Sequence, residues 1–154
     1  MPSNVKSAID RSQGYSFYLA RLLAARPEEA RLLEQQLETP FSEEQMQSFA
    51  NWEQLVSIEQ LAPALRALRR AVMARVIVRD LSGRADLDEV VTTVTRLAEF
   101  AVRQALPVAC QALAQYGDPI GEESGEKQTL IVIGMGKLGG AELNASSDID
   151  LIFI

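Results

Sequence analysis

Asp148 and Asp150 stand one residue apart in Ser146-Ser147-Asp148-Ile149-Asp150. They follow shortly after a glycine-rich run, Gly134-Met135-Gly136-Lys137-Leu138-Gly139-Gly140. On an extended chain alternate side chains share a face. The two carboxylates are therefore expected to point the same way, roughly 7 Å apart, with Ile149 opposite. Two carboxylates so placed can share one Mg²⁺ (or Mn²⁺) or bridge a metal pair, because magnesium takes a few carboxylates and fills its shell with water and phosphate oxygens. Such metals clamp the attacking and leaving oxygens of an in-line phosphoryl displacement. Glycine amides allow close approach to phosphate. Lys137 can neutralise phosphate charge and the Ser147 hydroxyl can donate to it. Alone, an Asp-x-Asp reads as a strand-entry turn with two solvated acids. The glycine turn upstream, with apolar runs on both sides, shifts the reading toward a site.

The glycines admit a second reading. Gly134, Gly136 and Gly139 spell G-x-G-x-x-G directly after the apolar run Thr129 to Ile133, the pattern of a dinucleotide-binding turn. That fold needs a full crossover helix and an acidic residue about twenty positions on. Here a second apolar run begins at Ile149, nine residues after Gly140, whereas a parallel crossover takes about a dozen or more. The short link favours a turn and a helical stub within Leu138 to Ala145, flanked by two strands. A phosphate loop ending in G-K-[ST] is absent, since Leu138 follows Lys137.

Residues 15 to 116 supply the elements that would carry this segment, and they read as helices. Pro27 sits at a first helical position with Glu28 and Glu29 behind it, where negative charge suits the helix dipole. Leu32, Leu33 and Leu37 are expected to form a buried stripe. Ser42 and Gln45 have capping-box spacing ahead of Met46, Phe49 and Ala50. Leu61, Leu65, Leu68, Val72 and Val76 recur on one side of the next helix, with Gly83 as its stop. Arg66 and Arg70, then Arg75 and Arg79, give that helix a basic face. It reads first as solvated or salt-bridged, and second as a surface for an acidic partner or a nucleotide. Asp86 and Glu89 open a last helix, which Pro107 should kink or divide and Gly117 should end. The division is a helical region 1–116, a linker loop 117–128 rich in glycine and acid, and 129–154 as the start of a second unit.

The bulk numbers narrow the function classes. The chain has 154 residues, 47% hydrophobic and 23% charged, which suits a packed globular protein. Its net charge is −6, and a phosphate backbone repels an acidic chain, so nucleic acid is a poor partner. No histidine is present, which excludes His-based acid–base catalysis and His metal ligands. The single Cys110, among Val108, Ala109 and Leu113, reads as a small core residue. With no early apolar leader and no membrane-length apolar run, the chain is expected to be cytoplasmic and to have no membrane partner.

The run from Gly134 to Gly140, with Glu142-Leu143-Asn144 and Ser146 to Phe153, closely resembles the glutamine synthetase adenylyltransferase/deadenylylase family. The likeness is strong over roughly the last 25 residues and general in layout before them. It implies a mainly α-helical N-terminal region followed by the truncated start of an α+β nucleotidyltransferase domain of the DNA polymerase β type. In that superfamily a Gly-[Gly/Ser] pair precedes Asp-x-Asp by about ten residues. Gly136-Lys137 takes that place, with lysine where glycine or serine is usual, so the serine–phosphate contact does not carry over. The resemblance implies Asp148 and Asp150 as catalytic metal ligands for Mg²⁺ or Mn²⁺. Gly136, Lys137, Gly139, Gly140 and Ser147 would lie near nucleotide and phosphate. Family members carry two such domains. The position of the motif suits the first, a deadenylylase that uses phosphate to remove AMP from a glutamine synthetase tyrosine and releases ADP; the second is ATP-dependent. Glutamine synthetase and a nitrogen-signalling PII-type regulator are the partners the resemblance implies.

The superfamily normally supplies a third carboxylate from a later strand, and four residues after Asp150 provide none. The chain is therefore expected to be an N-terminal piece of a larger enzyme, inactive alone, with the apolar strand Leu151 to Ile154 having little to pair with. Two other readings stay open. One is a non-catalytic helical module that docks through its arginine face. The other is a different nucleotidyltransferase of the same fold.

Overall fold

The computed structural model describes residues 2–154. Seven helices and two short strands follow one another among them. Helix α1 (Pro2–Tyr15), ahead of the region read as helical from the sequence, buries Ala8, Ile9 and Ser12 along one side. Helix α2 (Phe17–Ala25) starts where the Ser16 hydroxyl accepts the Leu19 amide at 3.2 Å. Helix α3 (Pro27–Gln36) has Pro27 in its first turn, where a missing N–H costs nothing. Only Leu33 and the following Leu37 are buried there; Leu32 is 49% exposed, so the expected stripe is narrower by one residue. Helix α4 (Glu43–Ser48) opens with the reciprocal capping box between Ser42 and Gln45.

Two long helices form the frame. α5 (Ile58–Leu81) and α6 (Leu87–Ala112) are joined by five residues and make the most extensive helix–helix contact. Gly83 at φ +70° makes the turn between them, a left-handed conformation that glycine adopts without a Cβ clash. Asp86 caps α6 by accepting the Glu89 amide at 2.8 Å. The Glu89 side chain does not complete the box, because it turns away to Arg79. Pro107 does not divide α6, which runs on to Ala112 and leaves Pro107 exposed. Cys110, on the same last turns, is exposed and not a core residue.

α5 separates two apolar clusters. On one side Leu61, Leu68, Val72 and Val76 pack with Trp52, Val94, Leu97 and Phe100. The Trp52 ring meets Phe100 edge-on at 5.2 Å, and its indole N–H donates to the Met46 carbonyl at 3.0 Å. On the other side Ala74 and Val78 close over Leu19, Leu22, Leu23, Leu33 and Leu37. Of the arginines read as a solvated or salt-bridged face, Arg66 stays exposed and Arg70 and Arg79 pair with Glu29 and Glu89, but Arg75 and Arg79 are not solvated: they are 3% and 5% exposed.

Each buried guanidinium is satisfied locally, as a charge in a low-dielectric interior must be. Arg79 grips Glu89 with two bonds, at 2.6 and 2.8 Å, and donates to the Leu37 and Arg84 carbonyls. The Glu89 bonds raise its pKa above the usual arginine value. Arg75 lies 4.3 Å over the Phe41 ring and donates to Gln36 and Gln45, with no ion pair among the described residues. Burial, then repulsion from Arg79, lowers its pKa to about 10, which leaves it charged at neutral pH.

Past Gly117 the chain forms a loop with a single bridge between Ile120 and Lys127, then a small hairpin. β1 (Val132–Gly134) pairs antiparallel with β2 (Leu151–Phe153), Gly134 opposite Leu151 and Val132 opposite Phe153. The last apolar run therefore has a partner, contrary to expectation, although Ile152, Phe153 and Ile154 stay exposed. The stub α7 (Gly136–Gly139) begins two residues earlier than the sequence spacing suggested, and stops where Ala141 takes φ +56°. Leu138 and Leu143, at 8% and 1% exposure, plug this unit into the α5–α6 cluster.

Candidate functional site

The glycine turn is built by close packing. A Cβ on Gly139 would stand 2.6 Å from the Gly134 carbonyl oxygen, and one on Gly134 would stand 2.7 Å from Leu138 Cγ. Only paired glycines let the stub fold straight back on β1. The stub's amides serve the same end: those of Leu138 and Gly139 donate to the Met135 carbonyl, and that of Gly140 to the Gly136 carbonyl. Gly136 is the turn's left-handed residue, at φ +52°.

The Met135 amide donates to the Asp150 carbonyl at 2.9 Å, which ties the turn to the acidic segment. Asp150 Oδ2 lies 4.0 Å from the point where a Cβ on Gly136 would sit. The structure thus brings Asp150 to the glycine turn. Leu151 packs inward on the helices, so alternation puts Asp150 and Ile152 on the outer face of the hairpin. Asp148 and Asp150 both precede β2, which starts at Leu151, and both are exposed. Asp148 lines a cavity against the helical region that also contains Ser147, Arg66 and Arg69. Lys137 is exposed on the stub and takes part in no ion pair among the described residues. Among the same residues no three Asp, Glu, Cys or His side chains converge as a metal cage.

Asn144 organises the approach to the acids. Its Oδ1 accepts from the Ser146 amide, the Ser146 hydroxyl and the Ser147 hydroxyl at 3.0–3.1 Å, and its amide donates to Ser147 Oγ at 3.1 Å. The Ser147 hydroxyl proton is therefore occupied within the turn. Contact with phosphate would require giving up the Asn144 bond. An asparagine two and three residues ahead of serines is a recognisable side-chain turn signal. It marks Asn144 as a positioning residue that the spacing argument passed over.

The cavity beside Asp148 has a volume of about 300 Å³. It joins a cleft of about 540 Å³ that runs past Ser146 toward Tyr15 and Tyr18, the two sharing Arg69, Met73, Asn144 and Ala145. A third pocket, about 330 Å³, surrounds Arg75 between α3, α4 and α5, away from the acids. No helix among the described residues is long and apolar enough to cross a membrane.

A profile of the glutamate-ammonia ligase adenylyltransferase family matches residues 8–154. Over its whole length the chain is 66% identical to the bifunctional glutamine synthetase adenylyltransferase/adenylyl-removing enzyme of Chromobacterium violaceum, and it covers 17% of that protein. Proteins of the same name from Nitrosomonas europaea and Ralstonia nicotianae are each 46% identical, over 91% and 99% of this chain and 16% and 17% of their own. The chain therefore spans only about 17% of the length of the curated relatives it matches. No solved structure matches it. The chain belongs to the glutamate-ammonia ligase adenylyltransferase family.

Proposed function

We propose that residues 129–154 begin a nucleotidyltransferase unit of the DNA polymerase β type, mounted on the helical region, and that it serves the adenylyl-removing reaction on glutamine synthetase. One observation carries this reading: the Asp150 carboxylate stands against the Gly136 turn, held there by the Met135–Asp150 backbone bond. That arrangement pairs an anionic metal ligand with a backbone open to phosphate.

Asp148 and Asp150 are the residues that would hold Mg²⁺ or Mn²⁺. Two exposed carboxylates suit a hard cation that keeps water and phosphate oxygens in its shell. When bound, the cation supplies Lewis-acid stabilisation of charge at the reacting phosphorus. In the reaction an oxygen of inorganic phosphate bonds to the adenylyl phosphorus, the bond to the tyrosine oxygen breaks, and that oxygen takes a proton. The products are ADP and free tyrosine. Gly136 leaves room for the phosphate, Lys137 neutralises it from the exposed stub, and Gly134 and Gly139 hold the turn in shape. Asn144, through Ser146 and Ser147, fixes the path of the chain into Asp148. ATP would be the nucleotide of the opposing, adenylylating reaction, a PII-type protein a regulator, and the cytoplasm the setting.

Two readouts test this. Mn²⁺ added to the 154-residue chain should broaden NMR signals near residues 135–150, and Asp148→Asn and Asp150→Asn should each suppress the effect. In a protein of the relatives' full length carrying this segment, the same substitutions should abolish phosphate-dependent release of ADP from adenylylated glutamine synthetase. Wild-type rates in both variants would refute the assignment.

A further inference from the structure

The cavity beside Asp148 has walls of unequal character. α5 contributes Leu65 and Met73, α6 contributes Val94, Leu97, Ala98 and Ala101, and the hairpin unit closes it with Leu143 and Ala145. Ala98 and Ala101 on α6 leave space, and Asn144 and Ser147 are the uncharged polar side chains of an otherwise mainly apolar lining. A body recognised here is recognised by burial of apolar surface.

The mouth is different. Arg66 and Arg69, three residues apart on α5, line it together with Asp148. Neither arginine is in an ion pair among the described residues, although the chain carries 21 acidic side chains against 15 basic ones. Two guanidiniums against one carboxylate leave the mouth with a net positive charge. A ligand that matches both parts has a body that buries apolar surface and an anionic end. About 300 Å³ lies at the low end of ligand pockets, which suits one compact head group and not a long chain.

Building on the function proposed above, we infer that the helical region supplies part of the nucleotide site: the base of a nucleoside phosphate enters the slot between α5 and α6, and its phosphates meet Arg66 and Arg69 next to Asp148. Guanidinium forks fit phosphate oxygens in bidentate pairs. Arg66 and Arg69 then act as binding residues drawn from outside the glycine–aspartate segment. The helical region becomes a wall of the site in addition to its scaffold.

The test is titration of the 154-residue chain with ADP in the presence of EDTA, followed by methyl NMR of Met73, Val94 and Leu97, with adenosine and inorganic phosphate titrated separately. EDTA removes any metal-mediated contribution of the aspartates from the result. ADP should shift those methyls and bind more tightly than either fragment. Arg66→Ala and Arg69→Ala, both at exposed positions, should each weaken ADP about tenfold or more and leave adenosine unchanged. Ala98→Leu should weaken ADP and adenosine alike and leave phosphate unchanged. ADP binding that ignores all three substitutions would overturn the inference and place the nucleotide elsewhere, while the roles of Asp148 and Asp150 would stand. Absence of ADP binding at millimolar concentration would overturn it as well. The Mn²⁺ experiment contains no nucleotide, so either proposal can fail without the other.

Discussion

Gly139→Ala and Gly140→Ala alter neighbouring glycines of the same turn and are expected to act in opposite directions. At position 139 a new Cβ would meet the Gly134 carbonyl oxygen at 2.6 Å, about 0.8 Å short of ordinary contact. Both atoms belong to backbone, so neither can swing aside, and β1 must move away from the stub. Overpacking of this kind costs about 1–3 kcal/mol. Better helix propensity returns at most about 1 kcal/mol. At position 140 the nearest atoms lie at 3.6 Å and φ is −86°, so alanine fits and should stabilise by about 0.4–1 kcal/mol. The hairpin lies at the margin of the α5–α6 cluster, so the loss at 139 should appear as local opening. Amide exchange in Val132–Gly134 and Leu151–Phe153 should accelerate in Gly139→Ala, by up to roughly 140-fold. It should slow or stay unchanged in Gly140→Ala, with exchange in α5 unaffected in both. Equal exchange in the two variants would refute the close-packing account of the turn and return both glycines to a shared role toward a ligand.

Arg79→Met should lower stability by about 3–5 kcal/mol in urea unfolding, because Glu89 loses its buried partner and two carbonyls lose donors. Ser42→Ala should cost about 1 kcal/mol at pH 7 through loss of the α4 cap. The Ser42 hydroxyl also holds the Glu44 carboxyl below its usual pKa. A depressed carboxyl stabilises above its unfolded pKa and loses that contribution as pH falls through the folded one, so the gap between wild type and Ser42→Ala should narrow below about pH 4.5; a gap independent of pH would show that Glu44 takes no part. Cys110 should be labelled by a thiol reagent in the native protein without prior unfolding, with no change in melting temperature; protection would show that α6 buries it.

The legible parts of the molecule were those set by local rules. The Ser42–Gln45 cap, Pro27 at a helix start, the Gly83 stop and the apolar side of α5 from Leu61 to Val76 can all be read within one or two turns of chain. What escaped was set by contacts across the chain. Nothing near Arg75 or Arg79 signals that α1 to α3 cover the far side of α5, because Gln36, Leu37 and Glu89 are brought in from other helices. Glu89 has the right spacing for a cap and was captured by a stronger partner. Cys110 lies in an apolar pattern that runs on past the core, whose last α6 residue is Val108. In the site, the union of glycine turn and acidic segment was readable from spacing. The antiparallel pairing that joins them was not stated by any local signal, nor was the cavity that Asp148 lines with residues of α5 and α6.

The placement of α5 between two apolar clusters also orders events in time. Neither cluster can be completed until this one helix exists, since each takes one of its sides. Its partner α6 follows after only five residues, so the α5–α6 pair forms through short-range closure, the rapid kind. The hairpin, which anchors through Leu138 and Leu143, can dock only on that pair, whereas α1 to α3 also pack on one another. The acidic segment is then among the last parts of the chain to settle, on a surface already built to receive it.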